Sequence, residues 1–137
     1  MRTLWTGDQV DFILDTYAWI EYTIGSNKGI IVKGLIDNQR NNFLTLECSI
    51  AELKEWCIKE NKSFENILFV VRNYSSIVQI KLNNWIEAAI IKHEKRKIVK
   101  DFGLMDALLL AKQKELKCRI ITGDKHFRNE KDVIFLE

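Results

Sequence analysis

The sequence predicts an α/β fold, a three-layer α/β/α domain built around a mostly parallel sheet. Short apolar runs of strand length alternate with longer helix-like segments along the chain, and that alternation builds a parallel sheet covered on both faces. The runs are also too apolar for strands with one solvated face: Ile120-Ile121 and Val133-Ile134-Phe135-Leu136 are unbroken. The 137 residues suit a single domain spanning the whole chain, large enough to bury a core without staples. Residues 1–9 form a lead-in to which the pattern assigns no structure.

Val10-Asp11-Phe12-Ile13-Leu14 reads as the first strand, ending at Asp15. Tyr17 to Ile24 follows as a helix with Tyr17, Ile20 and Ile24 on its inner stripe, closed by Gly25. A second helix starts at Asn27 or Lys28 and buries Ile31, Leu35 and Asn38, with Gly34 allowing a close approach. Phe43 to Leu46 is the second strand. Ser49 is then the expected N-cap of a third helix, with Glu52 closing a capping box and Ile50, Leu53 and Cys57 facing inward. A fourth helix opens at Ser63 to Asn66, with Phe64, Ile67, Leu68 and Val71 in the core. Phe69 and Val70 on its other side make it apolar nearly all round, which marks a buried helix or one that faces a partner. Ser76 to Ile80 is a third strand. Asn83 or Asn84 caps a fifth helix with the stripe Ile86, Ala89, Ile90 and His93. Leu104 to Lys117 is the sixth helix, and Arg119 to Thr122 and Val133 to Leu136 are the last two strands. The chain has no proline, so its stops rest on Gly, Asn and Ser.

Composition excludes more than it selects. Apolar residues make up 47% and charged residues 29%, the balance of a soluble globular protein. The net charge of +2 says nothing about nucleic acid, so any such role rests on local charge. The three cysteines, Cys48, Cys57 and Cys118, show neither disulfide nor zinc spacing and read as small apolar residues in a reducing compartment. No signal-peptide core and no membrane-length apolar run is present, so the expected location is cytoplasmic and no membrane partner is expected. The motifs GxxxxGK[ST] and GxGxxG are absent.

The chemistry points to the carboxyl edge of the sheet, where open parallel sheets bind their ligands. Asp15 and Asp124 stand at strand ends there. Glu52 and Asp106 stand near the starts of helices entered from the same edge. Each has a plain explanation on its own, as a turn former, a capping residue or a partner for the helix dipole. Together they are restrictive. Two carboxylates about 5 Å apart repel by about 3 kcal/mol at an effective dielectric near 20, so four require protonation or a cation. All-oxygen donors suit Mg²⁺ or Mn²⁺, and such a site can activate water against a phosphodiester.

Ile13-Leu14-Asp15-Thr16, Ala51-Glu52-Leu53, Met105-Asp106-Ala107-Leu108 and Thr122-Gly123-Asp124-Lys125-His126-Phe127 resemble, in order, the four motif blocks of PIN-domain proteins. The small size is most like the toxins of VapC-type toxin–antitoxin pairs. The resemblance implies a PIN-like fold and a Mg²⁺- or Mn²⁺-dependent endoribonuclease, often homodimeric and inhibited by a small antitoxin protein. It makes Asp15, Glu52, Asp106 and Asp124 the catalytic and metal-binding acids and Thr122 a hydroxyl that orients the site. Many family members carry an acid where this chain has His126. Two alternatives stay open: a degenerate PIN scaffold that only binds RNA or protein, and an RNA-processing nuclease that is not a toxin.

Lys92, Lys95, Arg96, Lys97 and Lys100 form a basic stretch leading towards Asp106, either a holder of the RNA backbone or a solvated helix end. Glu47 is the weaker candidate for the second acid. Trp19 and Tyr22 fall off the expected apolar stripe of their helix, and Trp5, Trp56 and Trp85 read as packing anchors.

Overall fold

Every strand pairing is parallel in the computed structural model, which describes residues 10–137. The strands are β1 (Val10–Leu14), β2 (Asn41–Leu46), β3 (Ser76–Val78), β4 (Arg119–Thr122) and β5 (Val133–Phe135), in the sheet order β3-β2-β1-β4-β5. The helices are α1 (Thr16–Ile24), α2 (Asn27–Asp37), α3 (Glu47–Glu60), α4 (Phe64–Tyr74), α5 (Leu82–Lys95) and α6 (Leu104–Leu116). The lead-in and Trp5 lie outside the described residues.

The two-residue period of β1 divides the core. Phe12 and Leu14 pack on one face of the sheet with Trp19, Val32, Leu53 and Val71 from the first four helices. Ile13 points to the other face and packs with Ala88, Leu108 and Phe127. The order reverses at β1, whose neighbours are β2 and β4, so the carboxyl ends of β1 and β4 flank the crevice where ligands enter such sheets.

Several helices turn a different side inward from the one their large aliphatic residues suggest. In α1 the buried residues are Ala18 and Trp19, the expected Tyr17 and Ile20 pack partly buried against the same core, and Ile24 is exposed. The Trp19 indole donates to Thr45 Oγ1 at 3.0 Å, which satisfies its one polar atom inside the core. In α2 the buried residues are Gly29, Val32 and Ile36, and Ile31 faces out. Gly34 has open space around it. The close approach falls on Gly29 instead, where a Cβ would sit 2.0 Å from the Glu21 carbonyl oxygen.

The expected capping box at Ser49 does not form. The third helix starts at Glu47 with Leu46 as N-cap, and Ser49 is buried within it. Glu47 accepts from the Ile80 amide at 2.8 Å, tying the helix start to the segment after β3. That segment leaves the sheet after Val78, two residues before the expected end. In α4, capped by Ser63, Ile67 and Val71 are buried and Phe69 is exposed.

The fifth helix is reversed. Its N-cap is Lys81, and Asn84 sits in its first turn with its Oδ1 accepting from the Lys81 amide. The buried positions are Asn84 and Ala88, and the Asn84 amide donates to Glu115 of α6 at 3.1 Å. Leu82, Trp85, Ile86 and Ile90 are left on the surface, so Trp85 is no packing anchor. Trp56 is partly buried against the first core. The cysteines are free, with Cys57 and Cys118 buried. No helix among the described residues is long and apolar enough to cross a membrane.

Candidate metal centre

Asp15 follows the last residue of β1 and N-caps α1, accepting from the Ala18 amide at 2.9 Å. The capping role and the site role coincide, because the helix N-terminus favours a carboxylate at the place where the sheet opens. Asp15 is almost wholly buried. Burial pushes its carboxyl up to about 7, against hydrogen bonds from the Thr122 hydroxyl and the Ala18 amide, and the nearby charges of Asp124 and Glu52 raise it further.

Thr122, the last residue of β4, is fully buried. Its hydroxyl bonds Asp15 and accepts from the Asp124 backbone amide at 3.0 Å. One side chain thus fixes an acid on β1 and the backbone that carries an acid after β4. Gly123 lets the two segments meet, since a Cβ there would sit 2.3 Å from the Tyr17 ring. Asp124 caps a short 3-10 turn, Lys125–Phe127, by accepting from the His126 amide at 2.9 Å.

Asp106 lies in the first turn of α6 and accepts from the Gly103 amide at 2.8 Å. Partial burial raises its pKa, the Gly103 bond and the neighbouring His126 oppose the rise, and the charge of Asp124 adds to it. The loop ahead of α6 is pinned by Arg96, whose Nε donates to the Phe102 carbonyl at 2.8 Å. Glu52 stands on the second turn of α3 and is exposed. Thr16 donates to its Oε1 at 2.6 Å.

The expected acids therefore lie within electrostatic reach of one another, Asp15 with Asp124 and Glu52, and Asp106 with Asp124. The tightest group is Asp106, Asp124 and His126, which offer ligand atoms all within 4.8 Å of one another. Asp15 and Glu52 are not part of it. His126 is the member that sequence reasoning underrates; its only signal there is its place two residues beyond Asp124. Its Nδ1 lies 3.0 Å from Asp106 Oδ2 and 3.3 Å from Asp124 Oδ1. Nδ1 is nevertheless buried and makes no aligned hydrogen bond. Carboxylates close enough for Asp124 to raise the pKa of both Asp15 and Asp106, beside a ring nitrogen with no aligned hydrogen bond, fit a divalent cation by charge and by donor type.

The basic stretch is partly engaged. Lys95 pairs with Glu130 at 2.7 Å and Lys97 with Glu94 at 3.2 Å. Lys92 and Arg96 line, with His93, Ala89 and Leu104, a hollow of about 400 Å³ beside the start of α6. Lys100 is exposed. Glu47, the weaker candidate, is held by the Ile80 amide.

Comparison with solved structures shows a shared fold at low identity. A toxin–antitoxin complex from Klebsiella pneumoniae matches with a TM-score of 0.72 and 17% identity, covering 91% of this chain and 97% of that one. VapBC2 from Rickettsia felis, bound to a DNA fragment from its promoter, matches with a TM-score of 0.70 and 15% identity, over 92% and 97% of the two chains. DNA-bound VapBC from Salmonella typhimurium matches with a TM-score of 0.64 and 16% identity, over 93% and 97%. No curated protein matches the chain. The PIN-domain family model aligns with residues 12–131. That span runs from within β1 to just before β5 and takes in every element that carries one of the acids, and the chain belongs to the PIN-domain family.

Proposed function

We propose that this protein is a Mg²⁺- or Mn²⁺-dependent endoribonuclease that hydrolyses RNA phosphodiester bonds, and that it is the toxin of a toxin–antitoxin pair. One observation carries the reading: a nearly buried carboxyl, Asp15, is pushed up to about 7 beside Asp124 and Glu52 at the open edge of a parallel sheet. Such an arrangement is self-repelling without a cation and is stabilised with one.

Asp15, Glu52, Asp106 and Asp124 would hold the cation. When bound, it supplies positive charge to the attacked phosphate and eases deprotonation of the attacking water. The residues do the positioning. Thr122 holds Asp15 and the backbone of Asp124 in fixed relation. Thr16 holds Glu52. Asp106 or Asp124 orients the water by accepting its proton in a hydrogen bond. Lys92, Arg96, Lys97 and Lys100 hold the RNA backbone beside α6, with Lys95 engaged by Glu130. Unpaired RNA is the favoured substrate class, because its backbone bends into a recessed site more readily than a duplex does.

The toxin role rests on fold likeness to toxin–antitoxin complexes. An apolar groove of about 400 Å³ between α1, α2 and α4, lined by Tyr22, Ile30, Ile67 and Val70, suits a helix of a small antitoxin. A homodimer is also proposed. On α4 Phe69 and Tyr74 are exposed, whereas α5 shows the longer stripe Leu82, Trp85, Ile86 and Ile90, and a two-fold pairing of that stripe would cover it.

The experiment is cleavage of a broad panel of unpaired RNAs by purified protein in Mg²⁺ and in Mn²⁺. Wild type is expected to cut, and Asp15→Asn and Asp124→Asn to bind RNA without cutting. Wild type that cuts nothing and matches both variants sinks the reading.

A further inference from the structure

The geometry points to His126 as a direct ligand of the divalent cation through Nδ1, making the tight part of the site an Asp/Asp/His set that prefers Mn²⁺ over Mg²⁺. This rests on the metal-dependent reading above and adds what that reading lacks, a nitrogen donor and a metal preference.

The first argument is the state of the nitrogen. Nδ1 is buried and makes no aligned hydrogen bond, although the ring stands close enough to Asp106 to hold down that acid's pKa. A buried polar atom left that way costs about 1–3 kcal/mol, so a native structure keeps one only for a reason. The two carboxylate oxygens nearby are close enough to serve, at 3.0 and 3.3 Å, but neither lies along the ring N–H.

The second argument is spacing. Adjacent ligands around an octahedral cation are separated by √2 times the bond length, about 3.0 Å for bonds of about 2.1 Å. The separations of Nδ1 from Asp106 Oδ2 and Asp124 Oδ1 match that edge. All three donor atoms fall within 4.8 Å of one another, so one ion can reach them together.

The third argument is rigidity. The His126 backbone amide is bonded to Asp124 Oδ1 at 2.9 Å. Its ring packs near Phe102, with centroids 6.3 Å apart, and Phe102 in turn contacts the buried Phe127. The imidazole is therefore fixed by packing and not by a polar partner.

The metal preference follows from the donor. Mg²⁺ takes oxygen, whereas imidazole binds first-row transition metals, and affinity rises along that row from Mn²⁺. An aspartate at position 126 would restore an all-oxygen set.

The test uses the full chain with Mn²⁺ as the probe. Pulsed electron paramagnetic resonance on bound Mn²⁺ should show ¹⁴N modulation from a coordinated imidazole, lost in His126→Asp. Calorimetric titration should show the Mn²⁺ over Mg²⁺ affinity ratio falling about tenfold in the same variant. His126→Asn, which keeps a small polar side chain without the ring, serves if the aspartate variant folds poorly, and it should lose the nitrogen signal too. Bound Mn²⁺ without nitrogen coupling, and with an unchanged ratio in the variants, overturns the His126 assignment and leaves the nuclease reading standing. No Mn²⁺ binding at millimolar concentration overturns both.

Discussion

Thr16 donates a 2.6 Å hydrogen bond to Glu52, joining the first residue of α1 to the second turn of α3 across 36 positions of sequence. The bond fixes an otherwise exposed acid towards Asp15. Thr16→Ala should therefore lower cleavage by about 10- to 100-fold, the usual effect of losing a partner of a metal ligand, with about 1 kcal/mol or less of stability lost. Thr16→Ser should restore most of the activity. Steady-state kinetics with denaturant melts checks both, and an alanine variant as active as wild type would remove Glu52 from the site.

The metal-free protein should become less stable as pH rises towards neutrality. The folded pKa of Asp15, about 7, stands above its ordinary value of 3.8, and that of Asp106 is raised too. A carboxyl with a raised folded pKa favours the folded state only while protonated. Its contribution is complete below the ordinary value and is lost as pH climbs through the folded one. For Asp15 the loss is at most about 4 kcal/mol, because each tenfold change in proton affinity is worth about 1.4 kcal/mol. In EDTA the melting midpoint should rise as pH falls from about 8 to about 5.5, and Asp15→Asn should flatten the trend. Millimolar Mn²⁺ at neutral pH should raise the midpoint of wild type more than that of the variant. A midpoint that instead climbs with pH in EDTA contradicts the burial argument.

Charge reversal should separate holding RNA from cutting it. Lys97 and Lys100 are exposed, and the Lys97–Glu94 pair is a surface contact of little strength. Lys97→Glu with Lys100→Glu should weaken RNA binding, flatten its salt dependence, and leave the rate at saturating RNA within about twofold. Lys95→Glu is a poorer probe, because it also breaks the contact with Glu130. Unchanged binding across a salt series would assign the RNA path to another surface.

The exposed stripe of α5 should hold two copies together. Ile86 and Ile90 are each more than half exposed, with Leu82 beyond them. Ile86→Asp with Ile90→Asp should convert a dimer at micromolar concentration into a monomer of unchanged helical content. Light scattering that finds wild type monomeric would remove the dimer.

The strands that frame the site are readable because each is an apolar run ending at an acid, and a strand buried on both faces has no other composition available. The inner face of α5 is not, and those of α1 and α2 are readable only in part, through Tyr17, Ile20 and Leu35. Asn84 is buried because Glu115 accepts its amide proton, a contact that no periodicity encodes, and large aliphatic residues then fall outward. Trp19 is buried because Thr45 takes its indole proton. The start of α3 is displaced for a similar reason, since Glu47 finds its partner at Ile80 rather than within its own turn. The acids can be named from local pattern, but the orphaned nitrogen of His126 becomes visible only when α6 and the turn after β4 meet.

The position of β1 at the centre of the sheet has a consequence for synthesis. It is made before the other described strands, yet it pairs with β4, through Phe12 with Arg119 and Leu14 with Ile121. Asp15 and Glu52 leave the ribosome early, and Asp106 and Asp124 leave late. At about 5–20 residues per second, roughly 5 to 20 seconds separate the emergence of Asp15 from that of Asp124. Until then β1 lacks one neighbour and Asp15 lacks Thr122. The order of the strands therefore keeps Asp15 and Glu52 apart from Asp106 and Asp124 until β4 has been made.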